Sequence, residues 1–183
     1  MIEGIASNIM ELWDIYDRDR INTGKTMKRG DPFAEGEYRM VVHVCIFNSR
    51  DEMLIQQRQP FKEGWPGMWD VTIGGSAIAG ESSHAAAERE LFEEIGYKID
   101  LNHIRPHLTV NCEIGFDDYY LVENEVDIGI LKLQFEEVQK VKWASRNEIF
   151  TMMDNGEFIP YHKNLIKLFF DIRKKFGALQ VPE

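Results

Sequence analysis

Gly75-Ser-Ala-Ile-Ala-Gly-Glu81, the Ala-rich run Ser82 to Glu88, and Arg89-Glu-Leu-Phe-Glu-Glu-Ile-Gly96 together decide how this chain is read. They give G-x5-E-x7-R-E-L-x-E-E-x-G without a break. The Ala-rich run reads as the first half of a helix. At about 100° per residue, Ala87, Leu91 and Ile95 share one face and are expected against a sheet. Glu90 and Glu94 stand one turn apart on an adjoining face, with Glu93 beside them and Arg89 beyond it. Carboxylates this close raise one another's pKa unless something positive joins them. A hard divalent cation, Mg2+ first and Mn2+ second, satisfies them with oxygen ligands. Arg89 is placed to pair with Glu93 and fix its rotamer. Glu81 reaches the cluster only if residues 75–80 fold back, and the glycine pair at 74 and 75 permits a close approach in which a Gly75 carbonyl faces the metal. An acidic solvated helix is the bland alternative. It needs basic partners for i,i+4 pairing, and Glu88 to Glu94 contains only Arg89.

The 183 residues fit one domain with a sizeable core. Apolar residues at 44% and charged residues at 28% are ordinary for a globular protein. With 21 basic and 31 acidic residues the net charge is -10, which argues against a nucleic-acid polymer or an anionic membrane as partner. A small phosphorylated substrate stays open, since bound metal reverses the local sign. Cys45 and Cys112 form neither a disulfide framework nor a zinc pattern. Acidic and basic residues arrive early, at Asp14 to Asp19, no apolar run is long enough to span a bilayer, and the expected location is the cytoplasm.

Residues 1–9 are weakly patterned, a frayed lead or a short helix. Leu12 to Tyr16 and Thr23 to Lys28 read as a hairpin around Asp17-Arg-Asp-Arg20. Trp13 and Tyr16 fit either cover over the main core or a contact in a homodimer. Arg39 to Phe47 is the strongest strand signal, and Met53 to Arg58 returns beside it. His43 and Cys45 share a face there and are expected to be a hydrogen-bonded histidine and a small buried thiol, not a ligand pair. Gln59 to Gly67 reads as a loop leading into a strand from Met68 to Ile73. Later strands are expected over His103 to Val110, Tyr119 to Val122 and Val138 to Trp143, with Asp127 to Gln134 extended or a loop. Ser145 caps a helix stopped by Gly156. The last helix, His162 to Phe176, carries Leu165, Leu168, Phe169, Ile172 and Phe176 on one stripe.

Gly75, Glu81, Arg89, Glu90, Leu91, Glu93, Glu94 and Gly96 match the Nudix box at each fixed position, with Tyr97 departing mildly from the usual aliphatic close. Trp65-Pro-Gly-Met-Trp-Asp70 and the run from Glu137 to Glu148 resemble the same superfamily along most of residues 38–150. The resemblance implies an α/β/α sandwich with a central mixed sheet, here extended by an N-terminal β-hairpin (1–37) and a C-terminal helical end (151–183). It also implies Mg2+-dependent hydrolysis of a diphosphate linkage in a nucleoside diphosphate derivative or a related small molecule. By position, Glu90 and Glu94 are metal ligands with Glu93 third, Arg89 orients them, Gly75 offers its carbonyl, and Glu81 supports the loop. Glu93 or Glu94 is a candidate base, as is an acid from a later loop among Glu123, Glu125, Glu136 and Glu137, with Glu137 ranked first.

The chain also resembles the isopentenyl-diphosphate isomerase branch, whose catalytic cysteine precedes the glycine loop. Asp70-Val-Thr-Ile73 stands at that place without one. Hydrolysis is therefore favoured over isomerisation, and a non-catalytic nucleotide-binding module is the remaining alternative. The organic part of the substrate is expected between the Gln59–Met68 and Cys112–Tyr120 loops. The candidate contacts are Arg58, Trp65, Trp69, Phe116, Asp118 and Tyr119, with Asp117 also plausible in the lining.

Overall fold

Two short strands, β1 (Leu12–Tyr16) and β2 (Asn22–Lys28), pair antiparallel and stand apart from the main sheet. The computed structural model describes residues 11–179, so the lead at 1–9 lies outside the described residues. The main sheet is built on β3 (Arg39–Phe47), with β4 (Glu52–Arg58), β5 (Trp69–Asp70), β6 (Ile73–Ser76), β7 (Leu108–Cys112), β8 (Gly115–Glu123) and β9 (Val138–Ser145). These strands form a seven-stranded sheet in the order β5-β4-β3-β8-β7, with β6 on β3 and β9 on β4. β3 runs parallel to β8 over its full length and antiparallel to β6, so the sheet is mixed.

Helix α1 (Ser83–Ile95) covers one face. Its N-cap is Ser82, whose side chain accepts from the Ala85 amide, and Gly96 closes it in the left-handed conformation with φ 69°. Ala87, Leu91 and Ile95 are fully buried, as the helical period requires, against Val42, Val44 and Ile46 of β3. Helices α2 (Arg146–Asp154) and α3 (Lys163–Ile172) cover the other face, over Cys45, Phe47, Met53 and Leu121. A capping box between Ser145 and Glu148 starts α2. The result is the α/β/α sandwich with an N-terminal hairpin and a C-terminal helix.

β3 and β4 share a single register pair, Phe47 with Met53, and then part. The expected strand from Met68 to Ile73 is split by that fork: β5 stays on β4 and β6 on β3. Thr72 bridges the gap, donating from Oγ1 to the Leu54 carbonyl (2.5 Å) and accepting from the Ile46 amide (2.9 Å). A side chain here substitutes for a missing rung of backbone ladder.

Three other sequence expectations shift. The strand placed from His103 begins at Leu108, because His103 is left-handed (φ 69°) and Pro106 has no amide hydrogen to give. The Cys112–Tyr120 loop is mostly strand, the end of β7 and the first half of β8. The last helix ends at Ile172, and its buried face is Ile166, Phe169 and Phe170, while Leu168 and Phe176 are exposed at 40% and 55%. Leu168-Phe169-Phe170 permits either of two stripes. The edge contact of Phe170 on Phe47 (5.0 Å) belongs to the one adopted. Trp13 and Tyr16 are 6% and 8% exposed, so their bulk is spent on packing within the chain.

Asp118 ties four elements together from a fully buried position. Its carboxylate accepts two bonds from the Arg20 guanidinium (3.1 and 2.8 Å), one from Thr109 Oγ1 (2.5 Å) and one from Ser83 Oγ (2.7 Å). The hairpin turn, β7, β8 and the start of α1 are thus held by one side chain. Asp118→Ala is expected to cost about 2–4 kcal/mol, because it strands a partly buried guanidinium and two hydroxyls. Chemical denaturation measures this, and Asp118→Asn, which keeps an acceptor, should recover part of the loss.

Candidate active site

A cleft of about 620 Å³ opens where β3 and β4 diverge, lined by residues of β3, β6 and α1 together with Glu137 and Tyr161. On β3 the alternation Arg39, Val41, His43 faces this cleft, and two residues later Cys45 is back in the core under α3. One strand face thus serves as pocket at one end and as core at the other.

Arg89 organises the α1 side. Its Nε and Nη2 donate to the two oxygens of Glu81 (2.7 and 2.9 Å), and Nη2 also donates to the Ser76 carbonyl (3.0 Å). Its Nη1 reaches Glu93 (2.9 Å) and lies 3.0 Å from Glu90. Glu81 in turn accepts from the Ile78 amide (3.0 Å), which is how the 75–80 segment folds back. Burial lowers the pKa of Arg89, but its hydrogen bonds to Glu81 and the charge of Glu90 outweigh it and hold the group firmly protonated.

The carboxylates facing Arg89 are costly to bury. Burial, opposed by Arg89, pushes Glu90 up to about 7. Glu94, only 5% exposed, is raised well above the usual carboxylate range by burial, then by the charges of Glu90 and Glu137, although Gln56 Nε2 donates to it (2.9 Å). A Cβ on Gly75 would lie 2.1 Å from the Glu90 carboxyl carbon, so the backbone of β6 and this carboxylate are in direct contact. Buried acids that repel one another beside a bare stretch of backbone suit a hard divalent cation. As the side chains stand, no group of three such ligands converges among the described residues. Glu93 and Glu90 are turned to Arg89, and Glu94 to Gln56.

In the same lining, Glu137 is paired with Lys62 (2.5 Å). Of the other late acids, Glu123 pairs with Arg173 (3.2 Å) and Glu125 accepts from the Ser49 amide (2.7 Å), both outside the cleft lining, as is Glu136. Arg58, Trp65 and Tyr119 line the cleft. Arg58 Nε donates to the Gly64 carbonyl (2.9 Å), and Trp65 is half exposed in a left-handed conformation (φ 52°). Tyr119 stacks on His43 with centroids 4.5 Å apart.

Phe116, Asp118 and Trp69 are not brought to the cleft lining. Period-two alternation along β8 sends Asp117 and Tyr119 to the cleft but Phe116 and Asp118 to the α1 side. Trp69 is 9% exposed, packed in the α2/α3 core beneath Lys140 and Lys142.

The cleft also holds residues that sequence reasoning missed. Tyr161 donates from its hydroxyl to buried Asp70 (2.8 Å), a pairing across 91 positions that no local pattern signals. Arg29 and Glu11 enter from the hairpin side. Cys112 lines the cleft, 3.9 Å from Asp117, whereas Cys45 is fully buried. His43 departs from the expected hydrogen-bonded histidine: its Nδ1 is enclosed without a partner among the described residues, with Gly74 and Tyr119 crowding it.

Residues 37–169 match the model of the NUDIX domain. The chain belongs to the Nudix family. It is 47% identical over 152 residues to an uncharacterized Nudix hydrolase of Listeria innocua, covering 83% of this chain and 90% of that one. These matches class it as a Nudix-type hydrolase of the diphosphohydrolase kind. It is also 30% identical over 146 residues to the isopentenyl-diphosphate Delta-isomerase of Pectobacterium atrosepticum, covering 76% and 79% of the two chains. The crystal structure of DR0079 from Deinococcus radiodurans shares the fold with a TM-score of 0.68 at 21% identity, over 87% of this chain and 97% of that one. No helix among the described residues is long and apolar enough to cross a membrane.

Burial lowers His43 to about 4. Below pH 6.5 an unfolded histidine takes up a proton that the folded one refuses, so the His43 contribution to stability falls as pH drops from 6.5 towards 4. The penalty is on the order of 2 kcal/mol by pH 4.5. It is read as the difference between wild type and His43→Phe in denaturation across that range, and parallel pH profiles would refute it.

Proposed function

We propose that the protein hydrolyses a diphosphate linkage in a small nucleoside diphosphate derivative or related compound, using Mg2+, with Mn2+ as a substitute. The observation that carries this reading is the buried, mutually repelling pair Glu90 and Glu94 against the Gly75 backbone, with Glu137 close enough for its charge to act on Glu94. Glu90 and Glu94 hold the metal, with Glu93 and the Gly75 carbonyl completing its protein ligands. Bound there, the cation neutralises the diphosphate and lowers the pKa of water.

Each protein group then has a task. Arg89 fixes Glu93 and, through Glu81, the loop on which Gly75 sits. Glu93, Glu94 and Glu137 are the carboxylates that can accept the proton of the attacking water, and all three line the cleft. Arg58, Trp65 and Tyr119 bind the organic part. Asp118 and Phe116 act through the position of β8, and Trp69 through the core beneath. A cytoplasmic location fits a chain with two unpaired cysteines.

Glu94→Gln should reduce Mg2+-dependent phosphate release by more than about 100-fold without unfolding the chain. The assay is a screen over nucleotide sugars, dinucleotides, nucleoside triphosphates, ADP-ribose and prenyl diphosphates, with product identification. Undiminished release in that variant would refute the role of Glu94, and isopentenyl diphosphate converted to its isomer without phosphate release would replace hydrolysis by isomerisation. Gly75→Ala places a methyl group against the Glu90 carboxylate and should lower activity by about 10-fold or more at saturating substrate, through weaker Mg2+ binding that excess metal partly restores.

A further inference from the structure

Four arginines line the cleft: Arg29, Arg39, Arg58 and Arg89. Three of them have carboxylate partners. Arg89 is held by Glu81, Glu90 and Glu93, Arg29 by Glu11 (2.8 Å), and Arg58 lies 3.9 Å from Asp70. Arg39 is the exception: among the described residues it is in no ion pair. Its Nη1 donates to Ser76 Oγ (2.9 Å), its Cζ sits 4.5 Å from the centroid of the Trp13 ring, and its Nε is enclosed with no acceptor among the described residues. Burial lowers its pKa, and the charges of Asp117 and Glu11 offset this only in part. A guanidinium fixed in place, partly desolvated and short of an acceptor is the arrangement expected where an anion binds.

The elements that hold Arg39 add a second observation. Trp13 belongs to β1, and Arg29 follows β2 directly, so both come from the hairpin that precedes residues 37–169. That hairpin is docked on the glycine loop by the Ala79 amide to the Leu12 carbonyl (2.8 Å) and the Gly80 amide to Asp14 (2.8 Å). Arg29 faces the cleft while its side chain stays 60% exposed, and it feels the charges of Glu90 and Glu137. Ser76, the partner of Arg39, is the neighbour of Gly75, which abuts Glu90. Cationic and carboxylate walls therefore meet at consecutive residues of β6.

We propose that Arg39, seated on Trp13 and assisted by Arg29, binds a phosphate of the substrate, which makes the N-terminal hairpin a working part of the active site. This rests on the diphosphate reading above. Arg39 donates from its guanidinium to non-bridging phosphate oxygens, and Arg29 adds a solvent-facing charge at the rim. The hairpin contributes by position, since the Trp13 ring sets where the guanidinium stands.

The test uses the full chain and methylenediphosphonate, a diphosphate whose bridge resists hydrolysis, with binding measured by calorimetry with and without Mg2+. Arg39→Gln should weaken binding by about 10-fold or more, Arg39→Lys by less, and Arg29→Gln by a few-fold with a shallower salt dependence. The ligand-free unfolding midpoints should stay near wild type, which separates lost affinity from lost fold. If Arg39→Gln fails to fold, Arg39→Lys and the exposed Arg29→Gln decide. Wild-type affinity in the folded arginine variants overturns the arginine assignment alone. No binding by the wild-type protein with Mg2+ overturns both that assignment and the diphosphate reading.

Discussion

The Arg89 guanidinium carries more of this site than any other group. It clamps both oxygens of Glu81, holds the Ser76 carbonyl and reaches Glu93 and Glu90. Without it, acids buried or half-buried in one corner would repel each other, and the glycine loop would lose its tie to the helix. A lysine could supply the charge but not the planar fork that meets a carboxylate with two bonds and a carbonyl with a third. The loop, the helix and the carboxylate geometry are therefore set together, before any ligand arrives.

The second determinant is the separation of β3 from β4 after one shared pair. A sheet paired throughout would bury both faces of β3 and leave no room for a substrate. The fork is stabilised by Thr72, which gives each strand a hydrogen-bond partner where the other is out of reach. Beyond that point Arg39, Val41 and His43 of β3 meet the cleft, while Val42, Val44 and Ile46 pack under α1 and Cys45 and Phe47 under α3. The sandwich and the pocket are products of the same strand.

The box helix was legible in the sequence because 3.6-residue periodicity separates Ala87, Leu91 and Ile95 from Glu90 and Glu94. β3 was legible from its continuous apolar run. The substrate end was much less so. Alternation within β8 could have separated Asp117 and Tyr119 from Phe116 and Asp118, but only once its strand was known to begin at Gly115. The pairing of Tyr161 with Asp70 and the reach of Arg20 to Asp118 depend on tertiary contacts across 91 and 98 positions, which no window of sequence contains. The rotation of α3 was hidden for a different reason: three adjacent apolar residues leave the phase of the helix undetermined until a neighbour selects it.

Gly74 and Gly75 leave two side-chain positions vacant, and both vacancies are filled by neighbours. A Cβ on Gly74 would lie 2.7 Å from His43 Nδ1, and one on Gly75 would displace the Glu90 carboxyl. A methyl at either position must therefore move a neighbouring side chain, the His43 ring or the Glu90 carboxylate, so a substitution there is felt directly in the site. The rim is built differently, from half-exposed or exposed side chains such as Trp65 and Cys112 that can change size and polarity without meeting a wall. Evolutionary drift in what the pocket accepts can therefore proceed at its mouth, while any change in the glycine floor beneath it shifts a group of the site itself.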